Sequence, residues 1–427
     1  MHGPTSRPFT LTLLFLALLA PASPAAADLW GTSVDGNNTA PAELADQYNR
    51  VFRFDNLGNK IGNDIGHASA GLNYPTGMAV APNGNLFVSA AGIGSILVYD
   101  GQTGQPVSLG GGPAGFFTTL ISPPAAPAQL AFGPDGDLYV SEFFGTSVRV
   151  YNPATGQRLP DAATGLISAG GLAFGPDGAL FVGDWGPNFG LQPGKIVRVS
   201  NGMQSTYGIS DMGMVRTPSA LHFLPNGDLL FADLFANYIG RIAAGGFGFE
   251  QFASILPAIP NPLPPGVLVP SNNPSDIDFD QDGNLIVSIL GLTNPPDNRG
   301  ALLRYALDGT PLAPLAGGLE SIGTIAWTPS TKTSSGDFDG DGNTDLADYA
   351  KWKGDFGKWV AAGNGADGNG DGIVDAGDYT VWRDALPGEF DGSAAASAVP
   401  EPSTAAFAVL GLLVALGRRT HSHFSGN

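Results

Sequence analysis

One short segment, PAQLAFGPDGDLYV from Pro127 to Val140, limits the fold more than any other part of this sequence, because it returns in close copies. They run from Pro75 to Val88, Ala169 to Val182, Pro218 to Phe231 and Pro274 to Val287. Each joins a short apolar strand to an alternating one through an Asp-Gly or Asn-Gly turn, whose glycine supplies the positive φ of a tight hairpin. The unit is a β-hairpin. The turn glycines Gly84, Gly136, Gly178, Gly227 and Gly283 recur about every fifty residues, the period of propeller blades rather than helical solenoids.

Gly (62) and Pro (35) are abundant in the 427 residues, and they fall at repeated turns rather than in featureless tracts, which favours an all-β architecture. With 38 acidic against 19 basic side chains the net charge is −19. The basic footprint that neutralises phosphates is missing, so nucleic acid is excluded as a partner. Cysteine is absent, which removes disulfides, thiolate metal sites and a cysteine nucleophile.

The ends of the repeat region complete each other. Leu29 to Val34 and Arg50 to Asp55 read as the middle strands of a blade that lacks its first strand, and Ser321 to Trp327 reads as a first strand with no hairpin after it. Together they make a shared blade. With the five full hairpins this predicts six blades in a closed ring, an arrangement that leaves few sheet edges open. Third strands follow at Ser95 to Tyr99, Ser147 to Tyr151, Lys195 to Val199, Tyr238 to Ile242 and Ala301 to Tyr305.

Over residues 28–330 the repeats resemble NHL and gluconolactonase-like propellers, on the strength of the Pro-x-Gly-[Leu/Met]-Ala-[Phe/Val]-x-Pro-[Asp/Asn]-Gly-x-Leu-[Phe/Tyr]-Val pattern. That resemblance speaks to fold rather than activity. Gluconolactonase-like enzymes bind a divalent metal with Glu, Asn and Asp at the channel mouth. Here Glu142, Asp184 and Asp233 end three consecutive second strands, while Ser89 and Ser288 occupy equivalent positions. The related streptogramin lyases use a catalytic histidine, and residues 28–330 offer His67 and His222.

Period-two alternation separates the first strands into two faces. Leu130 and Phe132, Leu172 and Phe174, Leu221 and Phe223, Ile277 and Phe279, and Ile325 and Trp327 are expected between blades. On the other face, His222 with Asp276 and Asp278 on the adjacent blade is the cluster with most chemical potential, since a carboxylate-oriented imidazole serves as a base or metal ligand. The bland reading is a satisfied buried polar group. No Gly-x-Ser-x-Gly elbow or phosphate loop is present.

Beyond a polar linker at residues 331–336 the composition changes. Asp337, Asp339, Asp341, Asn343, Asp345 and Asp348 occupy positions 1, 3, 5, 7, 9 and 12 of a calcium loop, with Gly342 at its sharp bend. Asp367, Asn369, Asp371, Ile373, Asp375 and Asp378 repeat the set around Gly372, and Tyr349, Trp352 and Lys353 recur as Tyr379, Trp382 and Arg383. Residues 337–388 resemble the type I dockerin module, which implies calcium as cofactor and a cohesin-like partner. At positions 10 and 11 this chain carries Leu346-Ala347 and Ala376-Gly377 where cellulosomal members commonly carry a hydroxyl pair.

Both termini read as sorting devices. Residues 1–27 hold Arg7, an apolar run from Phe9 to Ala20 and Ala25-Ala26-Ala27 before Asp28, the three parts of a cleavable secretory signal. After a linker at residues 389–398, residues 399–427 carry Val399 to Ser403 (VPEPS), an apolar run from Thr404 to Leu416 and then Arg418-Arg419. This resembles a PEP-CTERM signal, which implies an exosortase-type processing enzyme and transient membrane association through a short hydrophobic helix.

The sequence therefore describes an exported bacterial protein, secreted or at the cell surface. It has a six-bladed propeller for recognition or scaffolding of a protein or polysaccharide ligand, a small α-helical calcium-binding dockerin-like module and a sorting tail. The alternative is a metal-dependent hydrolase or lyase, lactonase- or streptogramin-lyase-like, acting at the propeller channel.

Overall fold

The computed structural model describes residues 28–33, 49–55, 57–65, 71–109, 113–119, 126–208, 215–224, 226–255, 273–280, 283–290, 300–319, 321–328, 336–340, 343–358, 360, 365–368 and 373–386. The signal region and the tail of residues 387–427 lie outside them. Among the described residues no helix is long and apolar enough to cross a membrane.

Six four-stranded antiparallel sheets account for every strand. Blade 1 combines Ile322–Thr328 with Asp28–Ser33, Arg50–Phe54 and Lys60–Ile65. The innermost strands of blades 2 to 6 are Pro75–Val80, Ala126–Phe132, Ala169–Phe174, Pro218–Phe223 and Asn273–Phe279. Each innermost strand contacts the next, and Ile322–Thr328 contacts both Pro75–Val80 and Asn273–Phe279. The ring closes. Its joint is the one the sequence implied, with Leu29 opposite Trp327 and Gly31 opposite Ile325.

In blades 2 to 6 the innermost strand meets the second strand through the predicted turn. Gly84, Gly136, Gly178, Gly227 and Gly283 have φ between 74° and 84°, a left-handed conformation that costs glycine little. Above the turn the pairing slips by a bulge in every blade. A bulge strands a backbone amide, and second-strand hydroxyls take up three of these: Thr324 N donates to Thr32 Oγ1 (2.8 Å), Gln129 N to Ser141 Oγ (2.9 Å) and Asp276 N to Ser288 Oγ (3.0 Å). Ser141 Oγ donates onward to Gly170 O of the next blade at 2.7 Å, so the defect also ties neighbours together.

The core is divided among the seams. Six apolar clusters each draw on two adjacent blades: Val51 with Met78 and Leu86, Phe87 with Leu130, Val148 with Leu172, Phe181 with Leu221 and Phe231, Leu230 with Ile277 and Phe279, and Ile286 with Ile325 and Trp327. The large residues assigned to the inter-blade face by alternation sit there. The outermost strands were not legible, because Arg158–Thr164, Met203–Tyr207 and Phe247–Ser254 have few buried residues and no clear apolar alternation.

After the propeller strands come two short helices, α1 (Leu346–Asp355) and α2 (Ala376–Ala385), which pack on each other. An acidic loop precedes each.

Candidate functional site

At the channel wall the structure places Asp276 and Asp278 on the innermost strand of blade 6 and His222 on that of blade 5. The His222 ring lies edge-on to Phe279, centroids 4.6 Å apart. Asp276 accepts hydrogen bonds from Ile325 N of blade 1 (3.0 Å) and from Ile277 N (2.9 Å), and Asp278 from Phe279 N (2.8 Å). Burial raises Asp276 to about 8 and Asp278 to about 7, and it lowers His222 to about 4. Near neutral pH His222 and Asp276 therefore favour their neutral forms, while Asp278 is divided between its two forms.

The wall around them is tight. Gln129 Nε2 of blade 3 reaches past blade 2 to Thr324 Oγ1 of blade 1 at 3.1 Å. Gly77 of blade 2 packs against the backbone beside it, where a Cβ would stand 1.8 Å from Ala128 O. Side chains of blades 1 and 3, which are not adjacent, thus meet at this level.

Glu142, Asp184 and Asp233 are buried at 2% exposure or less. Asp233 accepts from Arg216 N (2.7 Å), Thr217 N (3.1 Å), Thr217 Oγ1 (2.8 Å) and Ala236 N (3.3 Å). Asp184 accepts from Ile167 N (2.7 Å) and Ser168 N (3.0 Å). Each carboxylate catches the backbone of the segment arriving from the preceding blade, so these two are latches between blades. Glu142 forms an ion pair with Arg149. Burial raises Glu142, with Arg149 opposing, and raises Asp233 against its hydrogen bonds.

Among the described residues, the one group of acidic side chains close enough to share an ion is Asp337, Asp339 and Asp348, whose ligand oxygens all lie within 4.8 Å of one another. Asp337 and Asp348 are each 1% exposed. Clustering and burying like charges is costly unless a cation offsets both effects, and hard carboxylate oxygens suit a hard divalent ion. Asp341, Asn369 and Asp371 lie outside the described residues. Of the remaining loop positions, Asp367 and Asp378 are fully buried, Asp345 and Asn343 are exposed, and Ile373 and Asp375 are partly buried.

The two loops share one scaffold. Asp345 caps α1, accepting from Ala347 N at 2.7 Å while its own N donates to Asp348 Oδ2 at 2.8 Å. Asp375 caps α2 in the same way, through Gly377 N (2.6 Å) and Asp378 Oδ2 (2.7 Å). This is a capping box with Asp at both positions, a signal present in Asp-x-x-Asp but masked by the calcium-loop reading of the same residues. Asp348 Oδ1 further accepts from Phe338 N (2.6 Å) and Asp339 N (3.0 Å), and Asp378 Oδ1 from Gly368 N (2.7 Å).

Aromatic side chains join the repeats. Trp352 Nε1 of α1 donates to Asp375 O, and Trp382 Nε1 of α2 donates to Asp345 O, both at 2.8 Å. Tyr349 and Tyr379 complete the cluster, with ring centroids 5.2 Å apart for Tyr349 and Trp382 and 5.3 Å for Trp352 and Tyr379.

No protein-family profile matches the chain, and no curated protein sequence matches it. The nidogen/laminin complex aligns with TM-score 0.48 at 15% identity, over 71% of this chain and 99% of that one. A protein of unknown function from Bacteroides caccae aligns with TM-score 0.48 at 13% identity, over the same 71% and 99%. Virginiamycin B lyase from Staphylococcus aureus aligns with TM-score 0.40 at 19% identity, over 56% of this chain and 68% of that one. At these identities the likeness is one of fold.

Proposed function

We propose that this is an exported, calcium-binding bacterial protein of the cell surface or extracellular space, in which the propeller recognises or scaffolds a ligand and residues 337–388 form a dockerin-like calcium module. The observation that carries the reading is the acidic group of Asp337, Asp339 and Asp348, together with a second loop that repeats its hydrogen-bond scaffold. Bound calcium would supply the positive charge that lets these carboxylates stay buried, held by loop side chains and the position 7 carbonyl. The tail fits a PEP-CTERM sorting signal, with an exosortase-type enzyme as processing partner and brief membrane association.

The hydrolase or lyase reading has less to support it. Asp276 and Asp278 serve backbone amides of their own strand and of blade 1, and Asp184 and Asp233 serve inter-blade latches.

Calorimetric titration of the chain with calcium chloride tests the proposal. Two bound ions are expected, falling to one in Asp337→Ala or Asp367→Ala and none in the double variant. A wild-type chain that takes up no calcium at millimolar concentration would overturn it.

A further inference from the structure

We infer that Trp352 and Trp382 are positioning residues that act in trans, each setting the geometry of the other repeat's loop so that the two loops bind metal as a coupled pair. The inference rests on the calcium reading above and concerns how the two sites communicate.

The hydrogen bonds define the route. Trp382 Nε1 holds Asp345 O, and the amide of the same Asp345 holds Asp348 Oδ2, a carboxylate of the acidic group in the first loop. In reverse, Trp352 Nε1 holds Asp375 O, and the Asp375 amide holds Asp378 Oδ2 in the second loop. On its own helix each tryptophan follows the position 12 aspartate by four residues, one helical turn, so the two share a face. The path from one loop therefore runs along a single helical turn, through an indole N–H, into the N-cap residue of the other helix and onto its position 12 carboxylate. Two such paths cross between the helices.

The indoles are suited to carrying this coupling. Trp382 is 6% exposed, and a buried indole N–H that loses its acceptor goes unsatisfied. Packing against Tyr349 and Tyr379 fixes both rings, with centroids 5.2 to 5.6 Å apart. If one loop opens, its N-cap carbonyl moves away from the partner helix's indole, and the partner loses an anchor one turn beyond its own position 12 residue. A filled loop therefore prepares the other.

The test is calcium binding to Trp352→Phe and Trp382→Phe, each of which keeps an aromatic ring in the cluster while removing the indole donor. Calcium is titrated calorimetrically into the full chain, with tryptophan emission as a second signal. In a chain whose first loop is disabled by Asp337→Ala, Trp352→Phe should weaken the remaining second loop roughly tenfold, within the usual five- to 150-fold span of site coupling. In a chain whose second loop is disabled by Asp367→Ala, Trp382→Phe should weaken the first loop similarly, while Trp352→Phe shifts it by less than about twofold. With both loops intact, a Hill coefficient above one in the wild type should fall in either Phe variant and reach one when both tryptophans are changed, a reading that needs no disabled loop. The inference fails if each tryptophan affects only the loop of its own repeat, or if neither substitution changes affinity or Hill coefficient. Absence of calcium uptake by the wild type would instead sink the calcium reading itself.

Discussion

The propeller and the helix pair differ in what dominates their interiors. Every propeller seam is filled by Leu, Ile, Val, Phe or Trp from two blades, and none of the six apolar clusters includes a residue beyond Trp327. The helix pair buries Asp337, Asp348, Asp367 and Asp378 at 1% exposure or less, beside a few apolar residues such as Phe338, Val374 and Trp382. Apolar burial stabilises by about 25 cal/mol per Å² and needs no bound cation. Buried carboxylates clustered beside one another are costly until their shared charge is offset. On the calcium reading proposed above, one region is held together by its own apolar surface, and the other is completed by the ion it binds.

The most severe way to break this contrast is to open the ring. Deleting residues 321–329 removes the strand paired with Asp28–Ser33 and the contacts of Ile322, Ile325 and Trp327 with Ile286 and Leu302. The cut also exposes unpaired strand edges to other chains. The expected result is loss of the propeller's cooperative melting transition and concentration-dependent aggregation, seen by calorimetry and light scattering. A truncated chain that stays monomeric and melts like the wild type would show that closure is not what stabilises the ring.

Calcium removal should act on the other side of the contrast. At a free concentration a hundredfold above the dissociation constant, each filled loop adds about 2.7 kcal/mol, which is comparable with the whole stability of a marginal module. Excess chelator, or Asp337→Ala with Asp367→Ala, should therefore abolish the helical signal of α1 and α2 and leave the propeller transition in place. Loss of both transitions together on chelation would contradict the division drawn here.

The same contrast decides what could be read in advance. Hairpin turns, inter-blade residues and the shared blade were legible because each follows from a local rule: a glycine at positive φ, an alternation of period two, an incomplete repeat. The outermost strands were missed because strands such as Met203–Tyr207 bury almost nothing, so they lack an apolar pattern. Asp184 and Asp233 looked like channel ligands because position on a strand end does not reveal which backbone amides a carboxylate will catch. The loop carboxylates were placed by spacing, yet the hydrogen bonds from Trp352 and Trp382 to the opposite repeat depend on how two helices pack. The recurrence of tryptophan at the same position in both repeats was its only trace in the sequence.

The smallest effect tests whether the propeller is as indifferent to solution conditions as its apolar seams imply, since Asp276, Asp278 and His222 are exceptions built into it. Burial raises the two aspartates to about 8 and about 7, against about 3.9 in an unfolded chain. Between those limits the folded protein binds more protons than the unfolded one, so stability falls as pH rises through that window. His222 is lowered to about 4 and acts in the opposite sense: from about pH 4 to 6.5 the unfolded chain binds the extra proton, so its contribution grows with pH. The two trends oppose each other below about pH 6.5, and only the aspartates act above it. From pH 6.5 to 8 the propeller should lose about 2 kcal/mol on account of Asp276, at about 1.4 kcal/mol per pH unit, with a smaller loss from Asp278. That corresponds to a few degrees of melting temperature. Asp276→Asn keeps an oxygen to accept from Ile325 N but cannot ionise, so its melting temperature should be flatter across this range at constant calcium. A decline from pH 6.5 to 8 that is unchanged in an Asp276→Asn, Asp278→Asn chain would place the responsible ionisation elsewhere.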